Sequence, residues 1–180
     1  MSDKYLTPKQ KALLKELHKL ADIFGLNYSD ILSYEPEART ATLEVMKRQV
    51  IRGEVITWYT LFDELFTNAI CRYFFGGKRS FPALWKTKRF QIFNYYVIEE
   101  LYFLPKFRLV KAIRKIPKSA SQDIEALNAL RNAMAHSFFP ENLRKTKPLW
   151  KGKDIFSVEG AELFKGDMIK LTDHFVGDID

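Results

Sequence analysis

Arg131, Asn132 and His136 stand within six residues of one another, inside the run Asn128-Ala129-Leu130-Arg131-Asn132-Ala133-Met134-Ala135-His136-Ser137. A guanidinium and an imidazole so close in sequence suit phosphodiester chemistry. Arginine presents a fixed fork of donors to a phosphate, and histidine titrates near neutrality and serves as either acid or base. RNA can be cut by its own 2′-OH attacking the adjacent phosphorus. That reaction asks for a base at the hydroxyl, an acid at the departing 5′-oxygen and positive charge on the phosphorane. No other catalytic pattern is visible: there is no phosphate-cradling glycine loop, no Gly-x-Ser-x-Gly elbow, and the three histidines match no zinc spacing.

The residues around this run predict a helix opening near Ser119, with Ser119 as N-cap and Gln122 completing a capping box. Ile124, Leu127, Leu130 and Met134 fall in one arc of roughly 120° on a helical wheel, and Arg131 falls inside it. An arginine there is either buried with a partner or opens into a cleft. His136 lies about 140° round from Arg131, close to a helix end imposed by Pro140.

A second long helix is expected over 37–75, whole or broken at Arg52-Gly53. Trp58, Phe62, Leu65, Phe66, Ala69 and Tyr73 share one face, with Thr60, Glu64, Thr67, Asn68 and Cys71 opposite. Asp63 falls at the apolar border beside Tyr59 and Ile70, where a carboxylate needs a partner.

Arg131-Asn132-Ala133-Met134-Ala135-His136 resembles the signature of HEPN domains: Arg, a polar residue, a few spacers and His near the end of a late helix in an all-α bundle. The resemblance is clearest from about residue 51 to 139. It implies a metal-independent endoribonuclease without cofactor, in which His136 moves protons, Arg131 stabilises the phosphate and Asn132 supplies a hydrogen bond. Asp63 best matches the acidic residue such domains carry on an early helix, and would orient Arg131. The resemblance also implies a homodimer bringing two motifs into one cleft, RNA as substrate, and an antitoxin or regulatory protein as a further partner. The role is open between a toxin, an antiphage effector and a housekeeping enzyme.

The whole chain sets bounds on this. Its 180 residues read as a single all-α domain of five or six helices in an antiparallel bundle, with an N-terminal helix and connector over 1–35, a core over 36–139, and a loop and last helix over 140–180. Fifteen Phe and eight Tyr predict an aromatic core. The net charge of +7 favours a polyanionic partner without identifying one. One cysteine precludes an intrachain disulfide, and no run suits a signal peptide or membrane span, so a cytoplasmic protein is expected.

Other elements follow in order. Thr7-Pro8 opens a first helix with Leu13, Leu14, Leu17, Leu20 and Ala21 as its apolar face. A helix over about 90–104 is interrupted by Pro105 and resumes over 107–116, where Lys106, Arg108, Lys111, Arg114, Lys115 and Lys118 make a charge run, read first as a solvated face. Lys151-Gly152-Lys153 predicts a tight turn. Ser157 should cap a last helix whose inner face is Phe164, Met168, Leu171 and Phe175. Arg144, Lys145, Lys147, Lys151 and Lys153 are the residues expected to hold flanking phosphates of an RNA.

Blander readings stand beside the catalytic one. A histidine in a last helical turn is favoured by the macrodipole when protonated. An inward Arg131 paired with Asp63 could fix helix register alone, in which case Arg131→Ala would strand a buried carboxylate. A non-catalytic RNA- or nucleotide-binding module, or a regulatory interaction module, has the same sequence features.

Overall fold

A computed structural model describes residues 35–76, 81–136 and 148–176. The expected first helix after Thr7, together with Arg144, Lys145 and Lys147, lies outside the described residues. The chain divides into two compact units, Met1–Val50 and Ile51–Asp180. Of the first unit, residues 35–50 are described. They form the opening of helix α1, in which Met46 is buried and Thr42 Oγ1 donates back to the Ala38 carbonyl at 2.8 Å.

The described elements are α1 (Pro36–Phe75), α2 (Phe81–Trp85), α3 (Lys88–Phe93) continued by a π-helical turn (Asn94–Ile98), α4 (Phe103–Ile113), α5 (Lys118–His136), a two-stranded hairpin of β1 (Leu149–Trp150) and β2 (Lys153–Asp154), and α6 (Val158–Thr172). This is the all-α helical bundle that the sequence predicts. The only strands among the described residues are the two flanking the expected turn.

Helix α1 runs unbroken through Gly53, whose position is exposed. A glycine inside a helix costs about 1 kcal/mol relative to alanine, too little to interrupt forty residues otherwise free of breakers after Pro36. The helix stops at Gly76, where φ of +81° is the left-handed conformation glycine adopts without strain and its N–H donates to the Arg72 carbonyl at 2.8 Å.

The core of the second unit gathers round Phe66, fully buried on α1. Its ring centroid lies 5.2 Å from Phe103 and 5.3 Å from Phe107, both on α4, and 5.1 Å from Phe175 just beyond α6. From α5 come Ile124, Leu127, Leu130 and Met134, all buried as their arc predicts, and from α6 come Phe164, Met168 and Leu171. The expected faces of α1 need correction at its C-terminal end. Cys71 is buried and Tyr73 is 58% exposed, because α1 is flanked there on a second side by α3, with Phe75 edge-on to Phe90 at 5.2 Å and to Phe93 at 5.1 Å.

Two proline-linked boundaries also differ from expectation. Pro105 does not interrupt a helix; it sits third in α4, in the first turn, where its missing N–H has no intrahelical role. The chain breaks earlier, at Leu101 and Tyr102. Helix α5 starts at Lys118, directly after Pro117, whose carbonyl accepts from Ser121 N–H at 3.0 Å. Ser119 and Gln122 therefore lie inside the helix instead of bracketing its entrance.

The last helix is built as its sequence indicates. Ser157 Oγ accepts from Gly160 N–H at 3.0 Å. Gly160 is required by space: a Cβ there would stand 1.9 Å from the Asp154 carbonyl oxygen. In the hairpin, Lys151 and Gly152 both have positive φ, of 46° and 84°, the mark of a type I′ turn that matches the twist of its strands.

Candidate functional site

Helix α5 carries Arg131, Asn132 and His136 on its last two turns. Arg131 is half-buried. Its Cζ lies 4.9 Å from the centroid of the Tyr59 ring on α1, and its Nη1 donates to Asn132 Oδ1 at 3.2 Å. Tyr59 is itself stacked on Phe103 of α4, with centroids 4.1 Å apart and planes tilted by 19°. The guanidinium thus rests on an aromatic platform built by two other helices, where the ring quadrupole attracts it. Burial pushes the Tyr59 hydroxyl above its ordinary pKa; Arg131 opposes that rise and Asp63 adds to it. The phenol stays neutral throughout the physiological range.

Asp63, one helical turn beyond Tyr59, takes a different partner from the expected one. Lys106 Nζ on α4 donates to Asp63 Oδ2 at 2.7 Å. Only 9% of the Lys106 side chain is exposed, against 28% for Asp63. The expected Asp63–Arg131 pair is replaced because Lys106 enters the core between Phe103 and Phe107, and an ammonium so placed requires a carboxylate. The reading of the α4 charge run as a solvated face is corrected at this residue; Arg108 and Lys111 are exposed. The wheel carries the signal, since Phe103, Lys106, Phe107 and Val110 follow core spacing.

His136 is the last residue of α5 and is exposed. Along an ideal helix it stands about 7.5 Å beyond Arg131 and about 140° round the axis. The arrangement therefore brings Arg131, Asn132, Tyr59, Asp63 and Lys106 into one neighbourhood and sets His136 at its edge on a diverging face.

The two described lysines of the expected phosphate-holding set have carboxylate partners. Lys151 Nζ pairs with Asp123 of α5 at 3.0 Å and with Asp167 of α6 at 2.8 Å, while Lys153 Nζ pairs with Glu159 at 2.6 Å. Asp167 also accepts from Trp150 Nε1 at 2.9 Å. Burial raises the Asp167 carboxyl, but hydrogen bonds from Lys151 and Trp150 outweigh it and hold the group below its ordinary value. This is a structural knot joining the hairpin to two helices.

Cys71 has no catalytic setting: burial pushes its thiol up to about 11, with Lys106 opposing, so the nucleophilic thiolate is scarce near neutrality. Among the described residues, no group of three or more His, Cys, Asp or Glu could hold a metal ion, and no helix is long and apolar enough to cross a membrane. Comparison with protein-family models, curated proteins and solved structures found no match.

Proposed function

We propose that this protein is a HEPN-type endoribonuclease that cuts RNA without metal. The observation that carries the reading is Arg131, a half-exposed guanidinium held on the Tyr59 ring and by the Asn132 amide, on the helix that ends in an exposed His136. A guanidinium fixed at two points meets a phosphate with less loss of side-chain freedom than a mobile one. In the proposed reaction a base takes the 2′-OH proton, the 2′-oxygen–phosphorus bond forms and the phosphorus–5′-oxygen bond breaks. An acid then protonates the leaving oxygen, giving a 2′,3′-cyclic phosphate and a 5′-hydroxyl. Imidazole suits either proton transfer, and Arg131 neutralises the phosphorane.

The divergence of His136 from Arg131 on one helix favours a composite site, in which a second copy supplies the complementary group across a two-fold axis. Asp63 enters this scheme through Lys106 and Tyr59, as part of the platform beneath Arg131. A protein antitoxin or other regulator would act by covering this end of α5.

The test is incubation of purified protein with a mixed RNA pool, with and without EDTA. Fragments ending in cyclic phosphate are expected in both conditions, and none with His136→Ala. Cleavage that survives in His136→Ala, or that disappears with EDTA, overturns the mechanism. RNA binding without cleavage would leave a non-catalytic binding module in its place.

A further inference from the structure

Between Gly76 and Ile98 the sequence carries five cations and no carboxylate, interleaved with six aromatic residues. The described part of this stretch forms α2, α3 and the π-helical turn, and several of its rings stay out of the core. Trp85, Tyr95 and Tyr96 are exposed, Tyr96 by 68%. With Ile92 they wall an open groove of about 330 Å³ that includes neither Arg131 nor His136, a volume within the range of ligand sites.

The π-helical turn accounts for this exposure. Glu99 N–H donates to the Asn94 carbonyl at 2.9 Å, and Asn94 Nδ2 donates to Glu99 Oε1 at 2.8 Å, so the same two residues are tied through backbone and side chain. Closure over five residues takes one more than an α-helical turn. Asn94 and Ile98 are buried, and the three residues between them are exposed. Tyr95 and Tyr96 meet edge to face with centroids 4.9 Å apart, so each braces the other. Trp85 is edge-on to Phe90 at 5.2 Å, and its carbonyl accepts from Gln91 Nε2 at 2.7 Å. The rings are fixed in place yet largely bare, and a contiguous exposed apolar surface of this kind marks a site of interaction.

The polar groups select the partner. Lys88 lines the groove, and Lys86 and Arg89 are its neighbours in sequence. All three are exposed, and none is in an ion pair among the described residues. Glu99, the one carboxylate in the described wall, is already engaged by Asn94. Lysine is depleted from protein–protein interfaces. Cations interleaved with bare rings suit a single-stranded nucleic acid, whose bases stack on the rings while its phosphates meet the charges. The groove also stands near the motif helix. Phe103 is four positions beyond Glu99, a reach of at most about 14 Å, and it stacks on Tyr59, the ring beneath Arg131. Tyr102, 84% exposed, lies between them.

We propose that this groove binds unpaired bases of RNA, which stack on Trp85, Tyr95 and Tyr96 while Lys86, Lys88 and Arg89 hold the adjoining phosphates. The choice of RNA rests on the ribonuclease reading. The demand for an unpaired strand does not, because a base within a duplex has no free face to stack.

Fluorescence anisotropy tests this in the full chain carrying His136→Ala, so that RNA is not cut during the measurement. A short mixed-sequence RNA should bind about tenfold more tightly as a single strand than as a duplex of the same sequence. Tyr96→Ala and Trp85→Ala should each weaken single-strand binding about tenfold, as the loss of one stacked base implies. Tyr96→Phe, which keeps the ring, should not. Lys88→Gln should weaken binding and flatten its salt dependence. Ile169→Ala truncates an exposed apolar residue on α6 and should bind as its parent does. Equal affinity for the duplex, parental affinity in both ring truncations, or no binding of RNA overturns the proposal. So does self-association that Tyr96→Ala abolishes while RNA binding is unchanged, which would give this face to a second copy. Cleavage by the chain with His136 intact is scored separately. Single-strand binding through these rings by a chain that cuts nothing keeps the groove and removes the ribonuclease reading; cleavage and binding both indifferent to the ring truncations remove the groove alone.

Discussion

Lys106 Nζ and Asp63 Oδ2 lie 2.7 Å apart and join α4 to α1 across forty-three residues of sequence. The pair ties down the neighbourhood in which Tyr59 supports Arg131, yet neither member touches the motif helix through a hydrogen bond among the described residues. Its two ends differ in exposure, and that asymmetry decides what each substitution does. Lys106→Met keeps the stem's packing and strips the partner from Asp63. Because Asp63 retains contact with water, the loss should be about 1.5–3 kcal/mol, below that for a fully buried pair. Asp63→Asn leaves an almost fully buried ammonium with a neutral acceptor and should be at least as damaging. Arg131→Ala, by contrast, leaves the Lys106–Asp63 pair intact. Chemical denaturation of the three variants gives the order; a larger loss in Arg131→Ala than in Lys106→Met would mean that Arg131 is the true counter-charge.

Two of the three glycines inside the described helices, Gly53 and Gly160, should respond to alanine in opposite ways. At Gly53 an added Cβ meets nothing within 4 Å, so Gly53→Ala should stabilise the protein by about 0.5–1 kcal/mol through helix propensity and a less flexible unfolded chain. At Gly160 the Cβ would stand 1.9 Å from a backbone oxygen that cannot move without opening the hairpin. Gly160→Ala should destabilise by about 1–3 kcal/mol. Melting temperatures of the two variants shifting in the same direction would contradict this account of the α6 entrance.

What the sequence made legible was periodicity. The α5 stripe, the capping of α6 by Ser157, the Lys151-Gly152 turn and the all-α class all follow from local rules that act over a few residues. What it hid were choices among distant partners. Asp63 announced that it needed a cation, but Arg131 and Lys106 both satisfied that need on paper, and only the packing of α4 against α1 selects between them. Cys71 and Tyr73 were misplaced for a related reason: a single helical wheel assumes one buried face, and α1 is covered from a second side near its end. Arg72 and Arg114, forty-two positions apart, line one cavity, a juxtaposition that no local pattern signals.

The hairpin knot should govern behaviour in acid. Asp167 is held below its ordinary 3.8 by Lys151 and Trp150. A carboxyl with a depressed folded-state pKa adds stability that is present above 3.8 and is lost as pH falls through the folded value. Lys151, raised above its ordinary 10.5 by Asp167 and Asp123 against the effect of burial, adds stability that fades only as pH rises through its folded value. Asp167→Asn should therefore lower the melting temperature at pH 7 and flatten its decline between about pH 4 and 2. A parallel downward shift at every pH would show that the carboxylate's charge is irrelevant and that only its packing counts.

The Arg131–Tyr59 contact is where fold and proposed chemistry can be separated. Tyr59→Phe keeps the aromatic face and the stack on Phe103 while removing a hydroxyl that burial already keeps neutral. Tyr59→Leu keeps an apolar side chain but removes the quadrupole on which the guanidinium rests. A cation–π contact at a half-exposed arginine is worth about 1 kcal/mol, so the two variants should differ in stability by about that amount. Under the ribonuclease reading they should differ more in function. Tyr59→Phe should cut RNA at the wild-type rate, because the platform persists. Tyr59→Leu should lose about tenfold in kcat with a smaller change in KM, since Arg131 would have to find its place on the phosphorane from a looser starting position. Arg131→Lys should fare worse than Tyr59→Leu, as an ammonium replaces the planar fork. If Tyr59→Leu and Tyr59→Phe cut equally well while Arg131→Ala is inactive, the guanidinium acts without its platform and the stacking belongs to the fold alone. If none of these variants, Arg131→Ala included, alters cleavage, Arg131 has no part in the reaction.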